Sequence, residues 1–127
     1  MVKSRTQAYL STAERNRDLA RDMRFATLNT RSSDWAAVIA FYSALHFVHA
    51  YLFEKVTQNE KLSHKDRERY VEDTDALKPA ERYYDDLYEI SIAVRYDPRY
   101  RIQSSTEQEA LDNLTEIERI VRRGLAV

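Results

Sequence analysis

Residues 35–53 read WAAVIAFYSALHFVHAYLF, a run of 19 without a Lys, Arg, Asp or Glu in a chain that is 32% charged. Its larger side chains (Trp35, Val38, Ile39, Tyr42, Leu45, His46, His49, Leu52 and Phe53) recur every three or four residues, the spacing of one helical face. The other face holds Ala36, Ala37, Ala40, Ser43, Ala44 and Ala50, small enough for a neighbouring backbone to approach closely. A helix apolar on both faces is expected to be buried on both, with the rest of the chain as its cover. The run is also long enough to cross a bilayer. Two histidines, a serine and two tyrosines inside it, with both charge signs at its flanks, favour the core helix of a bundle and no membrane span.

The chain has 127 residues, one domain's worth, and chains of this size bury roughly two thirds of the surface they expose unfolded. One Gly and two Pro leave little material for hairpins, and charges are interleaved at helical spacing, so the class is all-α. Without cysteine there is no disulfide framework, thiolate metal site or thiol nucleophile. Lys3, Arg5 and their polar neighbours stand where a secretory signal would have its apolar segment, which makes cytoplasmic residence the expectation.

Working outward, a first helix is predicted from about Arg5 to Leu28, with Tyr9, Ala13, Leu19, Ala20, Met23 and Ala26 as an irregular apolar stripe and Ser11 with Glu14 as an internal capping pair. Residues 1–31 carry seven basic side chains against three acidic ones, in a chain of net charge −1. Within that surplus Arg17, Arg21 and Arg24 share a face, either simply solvated or a contact for nucleic acid. Ser33 or Asp34 caps the central helix, which is predicted to end near Val56. Ser63 and Asp66 form a capping box for a short polar helix anchored by Tyr70 and Val71. Pro79 belongs in the first turn of a fourth helix, about Lys78 to Val94, and Pro98 stops it. A last helix is predicted with Ser104 and Glu107 capping its start, Ala110, Leu111, Leu114, Ile117, Ile120 and Val121 inward, and Gly124 at its end. Four long helices and one short one, joined by short loops, imply an antiparallel four-helix bundle with one additional helix, a single domain over 1–127.

The order Asp34-Trp35, Phe41-Tyr42-Ser43-Ala44-Leu45-His46, Ser63-His64-Lys65, Tyr84 to Leu87 and Arg95-Tyr96-Asp97-Pro98 resembles the HEPN domain family of prokaryotes over nearly the whole chain. The resemblance implies a small helical bundle that acts as a homodimer. Many members of that family are metal-independent ribonucleases, often toxins paired with nucleotidyltransferase-like antitoxins or parts of anti-phage defence. Others bind RNA, nucleotides or proteins without catalysis. The ribonucleases carry an Arg followed four to six residues later by a His, and none of His46, His49 or His64 has an Arg at that distance upstream. A related non-nuclease branch has an Arg and then an acidic-Tyr pair before the Asp-Pro, where this chain has Ser91 and Arg95-Tyr96. The family's catalytic residues therefore do not carry over by position.

The remaining candidates stand on their own chemistry. His46 and His49 are three residues apart on one helix, a spacing that can present two metal ligands, but a metal would need two more, no Cys exists to supply them, and no metal or cofactor is expected. His64, at a helix start, is expected to be held neutral by the dipole. In Arg95-Tyr96-Asp97-Pro98-Arg99-Tyr100-Arg101 three guanidinium groups can meet phosphates and the tyrosines can stack on bases, or the same residues can pin the loop to the bundle. Three functions remain open: a dimeric domain binding RNA, a nucleotide or a partner protein; a metal-independent ribonuclease using Arg95 with His64 or His46; and a purely structural interaction module. Arg95 is expected to point into a polar cleft that takes an anion.

Overall fold

The computed structural model describes residues 1–24 and 32–127, with side chains throughout except at Arg24, Ser32 and Ser33. All regular structure among these residues is helical: α1 (Ser4–Arg24), α2 (Ser32–Lys55), α3 (His64–Asp73), a 3-10 turn (Lys78–Ala80), α4 (Glu81–Tyr96) and α5 (Ser104–Leu125). The end predicted for the first helix, residues 25–28, lies outside the described residues. The uncharged run is the hub, with α1, α4 and α5 all packed on α2. By length and composition α2 would suffice to cross a membrane, yet 78% of its most apolar window is buried within the protein.

The two faces of α2 fare differently from the expectation. Ala36, Ala37, Ala40, Ala44 and Ala50 are fully buried, and Ser43 donates to the Ala13 carbonyl of α1 at 2.7 Å. Small side chains let α1 come this close, and the buried hydroxyl has its partner. On the face of large residues Phe53 is half-buried, while Trp35 (52% exposed) and Tyr42 (39%) reach solvent. Both were expected inside. On α2 the exposed rings are thus Trp35 in the first turn and Tyr42 near the middle, with the alanine face closed off.

α1 is fastened at both ends. At its start the Glu54 carboxylate accepts from the backbone N–H of Lys3 and the hydroxyl of Thr6, each at 2.8 Å, an anion at the positive end of the helix dipole. Those hydrogen bonds, the Lys3 one first, hold the Glu54 carboxyl below its ordinary pKa. Further along, Glu118 of α5 accepts from Arg17 at 2.7 Å and Arg122 at 2.8 Å, and Arg122 also donates to Glu14 at 3.0 Å. α1 begins at Ser4, so Ser11 and Glu14 lie in its interior and cap nothing. Leu19, placed in the inward stripe, is exposed.

Ser63 and Asp66 make the predicted capping box at the start of α3. Pro79 sits in the first turn of the 3-10 segment ahead of α4, and Asp97, extended before Pro98, closes α4. α5 differs at both termini. Gln103 occupies its N-cap without a side-chain bond, leaving Ser104 as the first helical residue. At the other end Ala126, at φ 58°, is left-handed, with Ala126 N–H on the Arg123 carbonyl and Val127 N–H on that of Arg122. Gly124 stays helical for a packing reason. A Cβ there would lie 2.7 Å from the Cε2 of the Tyr51 ring.

Candidate functional site

Two neighbouring groups of residues carry the chemistry. The first is a cleft of about 330 Å³ where the start of α2, the end of α4 and the following loop meet, lined among others by Asp34, Trp35, Arg95, Asp97, Tyr100 and Arg101. Arg95 enters it from the last turn of α4, where a cation suits the negative end of the dipole. Its guanidinium donates to the Ser91 carbonyl, the Ser91 hydroxyl and the Tyr42 hydroxyl, each at 3.2 Å, and lies over the rings of Tyr42 and Tyr96 at 5.8 and 5.3 Å. Every one of these contacts is to a neutral group. Among the described residues no carboxylate bonds it, though those of Asp34 and Asp97 line the same cleft.

Across the cleft, Asp34 in the first turn of α2 accepts the Ile102 backbone N–H at 3.1 Å, which ties the loop before α5 to α2. Arg101 donates to the Pro98 and Tyr100 carbonyls at 3.3 and 2.8 Å. Arg99 extends into solvent, its guanidinium 3.9 Å from the Asp97 carboxylate. Burial first, then the negative charge of Asp34, pushes the Tyr100 phenol pKa up.

The second group surrounds Arg67 on α3, whose guanidinium donates to the Leu62 carbonyl at 2.6 Å and the buried Tyr84 hydroxyl at 3.3 Å. Its positive charge acts on all three histidines and helps hold each below the ordinary imidazole pKa, with burial the larger cause every time. His49 is driven furthest, to about 4. His64 stacks on Tyr88 with ring centres 3.4 Å apart, and the Glu68 carboxylate lies 3.2 Å from its Nε2 without the alignment of a hydrogen bond. The His64 pKa is thus lowered, the direction expected, but burial is the largest cause and the Glu68 charge opposes it. His46 and His49 pack on Tyr9, whose hydroxyl donates to Glu60 at 2.5 Å. Among the described residues no group of three or more His, Asp or Glu is arranged to hold a metal ion.

The sequence candidates separate accordingly. Arg95 and Arg101 line one cleft, with Tyr96 and Arg99 on the same stretch of chain, and the Arg95 charge is a minor influence on His64, behind burial, Glu68 and Arg67. His46 belongs with Arg67 and Tyr9 instead. On α1, Arg17 is held between Asp18 and Glu118, its side chain only 18% exposed, while Arg21 is exposed and reaches Thr115 at 3.4 Å. The side chain of Arg24 lies outside those described. Sequence reasoning missed Arg67, whose spacing of three from His64 on a short polar helix was the available signal. It also missed Trp35 and Tyr42 as exposed rings, having placed them in the core.

The HEPN domain model matches residues 6–125 of the chain. The chain belongs to the HEPN domain family. No curated protein and no solved structure gives a significant match. The HEPN match takes in α2 to α5 and all but the first turn of α1, so the Arg95 cleft and the Arg67 group both lie within the family domain.

Proposed function

We propose that this HEPN domain binds RNA or a nucleotide at the Arg95 cleft without cleaving it, and that it works as a homodimer. The observation that carries this reading is Arg95 itself, a guanidinium oriented entirely by neutral partners, in a cleft that also holds Arg101, beside the exposed rings of Trp35 and Tyr96. A guanidinium bonded to no carboxylate, next to exposed aromatic faces, is an arrangement that takes phosphate and base together. The long helices are read as an antiparallel four-helix bundle with α3 added, in a cytoplasmic protein. The second copy is proposed to cover the part of the Tyr42 ring that stays exposed in the monomer. A nucleotidyltransferase-like antitoxin is the proposed partner where the neighbouring gene encodes one. The salt dependence of RNA affinity tests the reading: each phosphate contact releases counterion, so affinity should fall steeply between low and physiological salt. A salt-indifferent isotherm would point to a protein ligand and the purely structural module.

One observation favours the ribonuclease reading as the second choice. His64 is held below its ordinary pKa chiefly by burial, with the Glu68 carboxylate 3.2 Å from its Nε2 and the positive charges of Arg67 and Arg95 acting against that carboxylate, which makes it a candidate base. Incubation with total RNA in EDTA separates the two readings. Cleavage lost in His64→Ala supports the nuclease; intact RNA supports the binding domain.

A further inference from the structure

We propose, resting on the RNA-binding reading above, that the cleft reads its ligand's base and prefers guanine. A cleft serving phosphate alone would present cations. This one sets the carboxylates of Asp34 and Asp97 among the guanidinium groups of Arg95 and Arg101. A polyanion is repelled by a carboxylate unless it brings N–H donors to it. Guanine alone has two adjacent donors on its Watson–Crick edge, the N1 imino and N2 amino groups, matching the two-oxygen geometry of a carboxylate. Adenine and cytosine place one amino donor beside a ring acceptor, and uracil places one imino donor between two carbonyls. Each of these turns a lone pair toward a carboxylate oxygen.

Asp34 is the carboxylate placed for the task. The Ile102 N–H bond to its Oδ1 fixes the group against a segment 68 residues away, and among the described residues no hydrogen-bond donor is assigned to Oδ2. Asp97 is placed differently, since its Oδ1 accepts the Arg99 N–H at 2.9 Å and the Arg99 guanidinium lies beside it. Trp35 lines the same cleft and is half exposed, which offers an aromatic face to a base held there. Arg95 and Arg101 then meet the phosphates on either side of the stacked base.

The test is fluorescence anisotropy with labelled uridine hexamers in which one central position is guanosine or adenosine, at one fixed salt concentration. The guanosine hexamer should bind at least about fivefold tighter than the adenosine one, the low end for a bidentate base contact. Asp34→Asn should bring the guanosine affinity down to that of adenosine, because the amide oxygen can keep the Ile102 bond only by turning its NH2 toward the base. A circular dichroism melt of the variant checks that it folds. Equal binding of the two hexamers by the wild type, or a guanosine preference that survives in folded Asp34→Asn, overturns this inference and leaves the RNA-binding reading standing. Failure to bind any hexamer overturns both.

Discussion

Acid should weaken this fold through His49, and the size of the effect follows from where that ring sits. It is 8% exposed, its Nε2 is buried without a hydrogen-bond partner, and Arg67 adds a positive charge nearby. Its pKa falls from 6.5 to about 4 on folding. A histidine whose folded pKa is depressed takes up its proton more readily unfolded, so its contribution is fully present above pH 6.5 and is lost as pH falls toward 4. At about 1.4 kcal/mol per unit, roughly 3 kcal/mol disappears between pH 7.5 and pH 4. Asp85 opposes it in part. Burial and the neighbouring charges of Glu68, Glu81, Glu72 and Asp86 raise its carboxyl to about 6, so its repulsion is relieved over the same range. The comparison of wild type with His49→Gln isolates the histidine, because Asp85 is common to both. In urea denaturation at pH 7.5, 6, 5 and 4, the variant should gain on the wild type by about 3 kcal/mol from the highest pH to the lowest. Parallel profiles would refute the claim that His49 is buried neutral.

Other consequences follow from the same contacts. Asp85→Asn should be more stable than wild type at pH 7, by about 1 kcal/mol after allowance for screening of a partly exposed group, with the gain fading toward pH 4 in the same urea experiment. Gly124→Ala should lose about 1 kcal/mol in thermal melts, since the Cβ clash with the Tyr51 ring outweighs the helix-propensity gain; stabilisation would mean the ring moves freely. Ser63→Ala should cost about 1 kcal/mol through the capping box, measured the same way. Light scattering should give twice the 15.0 kDa chain mass at micromolar concentrations, and a monomer throughout would remove the dimer.

Much of the fold could be read because it is local. The Ser63–Asp66 capping box and the stop at Pro98 act within one turn of helix, the uncharged run shows itself by composition alone, and Pro79 falls in the 3-10 turn just ahead of the helix it is expected to open. What could not be read depends on partners distant in sequence. Trp35 and Tyr42 look like core by spacing, yet which face of α2 is covered depends on how α1, α4 and α5 divide it. Gly124 looks like a helix stop and is instead a gap for the Tyr51 ring, 73 positions earlier in the chain. Ser104 and Gln103 differ as caps by a single residue, within the ordinary variation of helix ends. At the site, Arg95 was singled out from its local charge and its place at a helix end. Arg67 gives no such local signal, because its neighbours Tyr84 on α4 and His46 and His49 on α2 come from two other stretches of the chain. Arg17 looked available for nucleic acid only while Glu118, a hundred residues on, was out of view.

Everything proposed for function passes through Arg95, so the most direct measurement is the affinity of a labelled single-stranded RNA for wild type and Arg95→Ala, compared over a salt series. The guanidinium contacts only neutral groups, those of the buried Ser91 and the Tyr42 hydroxyl, and stands outside the hydrophobic core, so its removal should change stability by less than about 1.5 kcal/mol. The account predicts that the folded variant no longer binds RNA, and that Arg99→Ala with Arg101→Ala keeps weaker binding with a flatter salt slope. A folded Arg95→Ala protein that binds RNA as the wild type does would contradict it.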